Sequence, residues 1–242
     1  MSAVSIIGTI AGATLRGLLG RRRTLLMGIL ALLPVLIALL YRVAGEGTVD
    51  DRSVLDLLMI RTVLPLMALV FGTTALGAEL DDGTGVALLT KPIPRWQIIA
   101  AKIAMADGLT AAFTAVSAVA TYLLLGASDA STIVAYVLGV TVGAFAYTTA
   151  FVALSVVTSR ALIVGLIYTL LWEGWLAGFL PGTRILSLRE ATLGIIDAVA
   201  PPATPRDGLD LTGSITLLVV VLVAGFLIAT VRLERYQVRG GD

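Results

Sequence analysis

The chain has 242 residues, of which 58% are hydrophobic and 14% charged, with no cysteine, no histidine and a formal net charge of +1; its mean hydropathy is +0.99. Disulfides and thiolate metal sites are thereby excluded. No basic stripe interleaved with aromatics points to nucleic acid, and the lack of His, Cys and any HExxH or GxSxG arrangement argues against an intramembrane hydrolase. A bilayer core about 30 Å thick takes about 20 mainly apolar residues per helix. The expected fold is therefore an all-α membrane protein, a single domain over residues 1–242.

In chain order, residues 1–23 carry Ile6, Ile7, Ile10, Leu15, Leu18 and Leu19 ahead of Arg21, Arg22 and Arg23. They are read either as an amphipathic helix on the inner interface or as a frayed tail whose arginines set topology. No small-residue cleavage pattern follows, so this segment is expected to stay attached. Sustained apolar runs bounded by charge, Gly or Pro predict six transmembrane helices: Thr24–Tyr41, Leu57–Ala78, Ile98–Leu125, Ser131–Thr158, Ala161–Leu180 and Leu211–Val231. The fifth is interrupted by Glu173. Arg16, Arg21 to Arg23, Lys91, Arg95, Lys102, Arg160, Arg232, Arg235 and Arg239 outnumber Arg42, Arg52, Arg184, Arg189 and Arg206 on the opposite flanks. Both termini are accordingly expected in the cytoplasm.

Between the second and third spans, residues 79–96 form a dense polar loop. Asp81 and Asp82 precede Thr84 to Leu89, where acidic side chains favour a helix start, and Pro92 and Pro94 keep that helix from running into the third span. Val86, Leu88 and Leu89 offer apolar contacts within a rim of Asp81, Asp82, Lys91 and Arg95. The loop is either a short helix docking in a groove on a partner or a solvated turn.

Ionisable groups inside spans are functional candidates. Lys102 lies about 9 Å above Trp96 at 1.5 Å per residue, within reach of the inner interface, so a snorkelling structural role is expected. Asp107 heads a polar stripe with Thr110, Thr114, Ser117 and Thr121, kept on one face of the third helix by steps of three and four. That face either lines a translocation path or bonds to a neighbouring helix. Glu173, about 18 Å along the fifth helix from Ala161, sits between Trp172 and Trp175. It is either part of an outer gate or cation-attracting vestibule, or a partner for Arg184 or Arg61. Gly139 and Gly143 form a small-residue pair expected to serve helix packing.

The run from Phe71 through Lys102, with Glu79, Gly83, Thr84, Leu88, Leu89, Thr90, Pro92, Arg95 and Lys102, resembles the signature region of ABC-2 type transporter permeases. A second patch agrees: Tyr168, Trp172, Glu173, Leu180 to Thr183, Leu186 and Ser187. The resemblance implies that Glu79, Asp81, Asp82, Gly83, Thr84, Leu88, Leu89, Thr90, Pro92 and Arg95 form a coupling helix and its hinges against a separate ATPase subunit. It further implies an interfacial connecting helix before Thr24, and short outer helices between spans five and six, within residues 181–210. Gly85 departs from a good coupling helix, since Gly costs about 1 kcal/mol relative to Ala there.

No GxxxxGK[ST] run occurs, so ATP and magnesium are expected on the partner chain, with no cofactor on this one. Implied partners are two ATPase copies, a second permease subunit, identical or paralogous, and the lipid of a prokaryotic inner membrane; nucleic acid is not among them. The alternative is a proton-coupled secondary transporter using Asp107 or Glu173.

Overall fold

A computed structural model describes residues 12, 14–15, 17–44, 51–81, 94–126, 129–176, 181–204, 206 and 208–235. Among them there is no strand. The helices are α1 (Arg21–Ala44), α2 (Asp51–Leu55), which runs through a first π segment (Asp56–Val63) into α3 (Leu64–Asp81), α4 (Arg95–Leu125) and α5 (Ala130–Val157). Then come α6 (Ala161–Ile167), continued by a second π segment (Tyr168–Leu176), a 3-10 turn (Pro181–Leu186), α7 (Leu188–Val199) and α8 (Leu211–Glu234). The described residues between 12 and 18 are also helical, with Leu18 buried.

Five of these stretches are long and apolar enough to cross a membrane: Arg23–Ala44, Arg52–Gly77, Arg95–Leu125, Ala130–Val157 and Leu211–Glu234. The fifth predicted span is described only as a shorter apolar helix, Ala161–Trp175, about 21 Å long at 1.5 Å per residue against a core of about 30 Å. Residues 177–180, its predicted end, lie outside the described residues.

Helix starts follow local chemistry. Asp129 caps α5, its carboxylate accepting from the Ser131 N–H at 3.1 Å and from the hydroxyls of Ser131 and Thr132; hydrogen bonds from Thr132 and Ser131 hold that carboxyl below its usual range. Asp210 caps α8 in the same way, through the Gly213 N–H at 3.0 Å. Gly126, at φ 80°, closes α4 in a left-handed turn that a side chain would strain.

The hub is α5, packed on α3, α4, α6, α7 and α8. Its close packing follows from small residues that let backbones approach. A side-chain carbon at Gly72 of α3 would lie 2.9 Å from Phe151 Cβ and 3.0 Å from the Thr148 carbonyl. Gly139 and Gly143 serve packing, against the short helix α7: a carbon at Gly139 would collide with Ile196, and one at Gly143 would meet Thr192 Oγ1 at 2.8 Å and Leu64 Cδ2 at 2.9 Å. By contrast α1 and α8 turn large apolar side chains outward, among them Leu25, Ile29, Leu36, Val220, Val223 and Leu227. Such faces suit lipid.

These contacts predict that Gly139→Val lowers stability by about 1–3 kcal/mol through overpacking against Ile196. Gly108→Ala in α4, with no atom within 4 Å of the added carbon, should instead be neutral or stabilising by up to about 1 kcal/mol. Thermal unfolding of the purified variants in detergent checks the contrast; equal melting of both would contradict the packing described.

Candidate functional site

Glu173 lies in the second π segment, 3% exposed. An α-helix would turn Tyr168 and Glu173 about 140° apart, whereas the i→i+5 repeat of a π-helix stacks them on one face. The Tyr168 hydroxyl accordingly donates to Glu173 Oε1 at 2.8 Å, and the Tyr147 hydroxyl of α5 donates to Oε2 at 2.6 Å. The same carboxylate accepts the N–H of Leu188 at 2.8 Å and of Arg189 at 3.0 Å, with the Ser187 hydroxyl at 3.4 Å. Arg189 Nη1 returns a bond to the Glu173 carbonyl.

The four N–H groups at the start of α7 are thereby all met. Ser187 N–H bonds the Arg184 carbonyl at 3.0 Å, Leu188 and Arg189 bond Glu173, and Glu190 N–H bonds the Ser187 hydroxyl at 3.2 Å. A carboxylate at a helix N-terminus is also favoured by the macrodipole. The charge of Glu173 is held by phenols and backbone N–H groups, with no ion pair to Arg61 among the described residues, and it is enclosed within the single chain.

A second polar cluster braces the same end. Arg206 Nη2 pairs with Asp56 Oδ2 at 2.6 Å and Nη1 with Asp197 Oδ1 at 3.5 Å. The Tyr136 hydroxyl donates to Asp56 Oδ1. Arg52 donates to the Ala200 carbonyl at 2.7 Å and the Thr132 hydroxyl at 3.1 Å. Burial pushes the Asp197 carboxyl up, with Arg206 opposing. Sequence reading missed this cluster: Arg52 and Arg206 entered only as topological charges, and nothing local links residues so far apart.

The polar stripe of α4 is wholly inside the bundle: Asp107 is 1% exposed, and Thr110, Thr114, Ser117 and Thr121 are buried as well. Three hydroxyls turn back to their own helix, Thr110 to the Ala106 carbonyl, Thr114 to Thr110 and Thr121 to Ser117, at 2.7–2.8 Å. Ser117 donates across to the Ala31 carbonyl of α1 at 2.5 Å, and Thr148 of α5 to Thr110 Oγ1 at 3.4 Å. Of the two roles open for this face, helix bonding is the one the single chain displays. Asp107 lies beside the Thr148 hydroxyl, and its Oδ1 has no hydrogen-bond partner among the described residues. An apolar groove of about 380 Å³ between α1 and α4 passes Ser117, lined also by Leu32, Val35, Phe113 and Val116.

Near the other end, Lys102 is fully buried and donates from Nζ to the Ala75 carbonyl of α3 at 2.6 Å. It does not snorkel out as expected but bonds a carbonyl in the last turns of α3. Of the expected coupling residues, Glu79 and Asp81 fall in the final turn of α3 and Arg95 opens α4 behind Pro94. Asp82, Gly83, Thr84, Leu88, Leu89, Thr90 and Pro92 lie outside the described residues.

The Glu173 cluster predicts that Glu173→Ala costs about 3–5 kcal/mol, since two buried N–H groups lose their acceptor at about 1–3 kcal/mol each and two phenols lose theirs. Tyr147→Phe, removing one donor, should cost about 1 kcal/mol. Thermal or denaturant unfolding in detergent micelles measures both. Wild-type stability in Glu173→Ala would contradict the role given to the carboxylate.

Among known proteins, a family model described as ABC-2 family transporter protein matches residues 19–173. No curated protein matches the chain.

Proposed function

The chain belongs to the ABC-2 family of transporter proteins, and from that membership we propose that it is the permease subunit of an ATP-driven exporter. In this reading it forms half of the translocation pathway with a second permease, identical or paralogous, in the cytoplasmic membrane of a prokaryote. Residues 79–96 dock on a separate ATPase subunit, one for each permease, which binds ATP and magnesium. The family match over residues 19–173 carries the proposal, because it takes in the 79–96 loop, the α4 stripe and Glu173 together. The five apolar helices support a multi-pass membrane protein.

Nucleotide-driven closure of the ATPase pair would move the docked loop and bias the helices between inward- and outward-facing states. Lys102 supports this reading by bonding α3 to α4 on either side of the loop. Replacing Leu88 and Leu89 together by Asp should leave membrane insertion intact while abolishing co-purification with the ATPase and transport-linked ATP turnover. Unchanged assembly in the double variant would sink the docking assignment.

A second reading, a proton-coupled carrier, rests on one observation: the buried Asp107 with an oxygen lacking a partner among the described residues. Asn keeps the shape of that side chain and cannot titrate. For the ATP-driven pump, Asp107→Asn should reduce transport modestly and keep its dependence on hydrolysable ATP. Gradient-driven transport by this chain alone in reconstituted vesicles, lost in Asp107→Asn, would favour the carrier and overturn the pump.

A further inference from the structure

From residue 52 to 77 the second span is enclosed by its neighbours except at Ser53, Leu57 and Arg61, which share one exposed face. Arg61 is the feature of this face that needs explanation. The arginines around it are engaged: Arg52 donates to the Ala200 carbonyl and Thr132, Arg189 pairs with Glu190 at 2.8 Å, and Arg206 pairs with Asp56 at 2.6 Å and, at 3.5 Å, with Asp197. Arg61 has neither a hydrogen bond nor an ion pair among the described residues; its electrostatic neighbours are Arg189, Glu190, Asp56 and Arg206. The nearby acids are engaged with the other arginines, and Arg189 adds like charge.

Depth narrows what can meet this cation. Counting back about 20 residues from Ala78, where the polar loop begins, places the far hydrocarbon boundary near residue 58. Arg61 lies within one turn of that level, close enough for its side chain to reach the headgroup layer. Exposed there, a guanidinium needs an anion or water, and its planar fork matches two phosphate oxygens. We infer that Arg61 holds the phosphate of a membrane phospholipid in the leaflet at the Arg52 end, the outer leaflet in the proposed orientation. The contact stands whatever the transporter carries.

The purified chain in detergent can be titrated with phosphatidylglycerol, with diacylglycerol of the same acyl chains, and with inorganic phosphate, and bound species counted by native mass spectrometry. The expected result is binding of phosphatidylglycerol about tenfold tighter than diacylglycerol, a preference lost in Arg61→Gln, partly kept in Arg61→Lys and unchanged in Arg42→Gln. Arg61 is exposed, so the variant should melt as wild type does. Undiminished preference in Arg61→Gln overturns the assignment, as does equal binding of diacylglycerol. Displacement by inorganic phosphate at matched concentration would make it a free-anion site. Conversion of dimer to monomer in Arg61→Gln with lipid binding intact would give the arginine to a second copy of the chain. Either result also overturns the lipid contact.

Discussion

A helix that begins among apolar side chains presents N–H groups that have no acceptor in its own first turn and no water to turn to. The short helix α7 faces this problem at its start, where Leu188 and Arg189 are both buried, and a carboxylate from another element solves it. Because Glu173 also gathers Tyr147 from α5 and Tyr168 from its own π segment, one side chain fixes three elements at a point. The rest of α7 follows from that anchor. With its first turn held, Thr192 and Ile196 fall opposite Gly143 and Gly139, and Gly194 falls against Ser214 of α8.

The two π segments belong to the same arrangement. The second places Tyr168 and Glu173, five residues apart, on one face, and the first, which packs on α7, turns Asp56 to Tyr136 and Arg206 while Arg61 stays exposed. An uninterrupted α-helix would separate Tyr168 from Glu173. The wider helical repeat is therefore tied to the polar contacts at this end. Asp56, joined to Tyr136 and Arg206, extends the bracing to the N-terminal end of α5 and to the stretch after α7.

The spans were legible because long apolar runs between charges have one solution in a bilayer, and α1, α4, α5 and α8 keep close to their expected positions. The packing role of Gly139 and Gly143 was legible too, though their partner is a short helix rather than a full span. Glu173 was visible only as an interruption. Its partners Tyr147, Leu188 and Arg189 are 26, 15 and 16 residues away, and no local pattern announces a carboxylate capping another helix. Lys102 was misjudged for a related reason: position along a helix gives depth, and depth alone does not reveal a carbonyl on the neighbouring helix.

Contacts at the loop end give the proposed coupling a physical route. The segment after Asp81 is bounded by α3 before it and α4 behind it. If these two helices could slide independently, a push on the segment would be absorbed at its ends. The bond from Lys102 to the Ala75 carbonyl opposes that, since separating a buried ammonium from its acceptor without water is costly. Helices α3 and α4 are thus favoured to move as a pair. Gly72 then presses α3 on Phe151 and Thr148 of α5, the helix that carries α7 and Tyr147. In the proposed coupling, a displacement at the loop would therefore reach the Glu173 cluster through packed backbone.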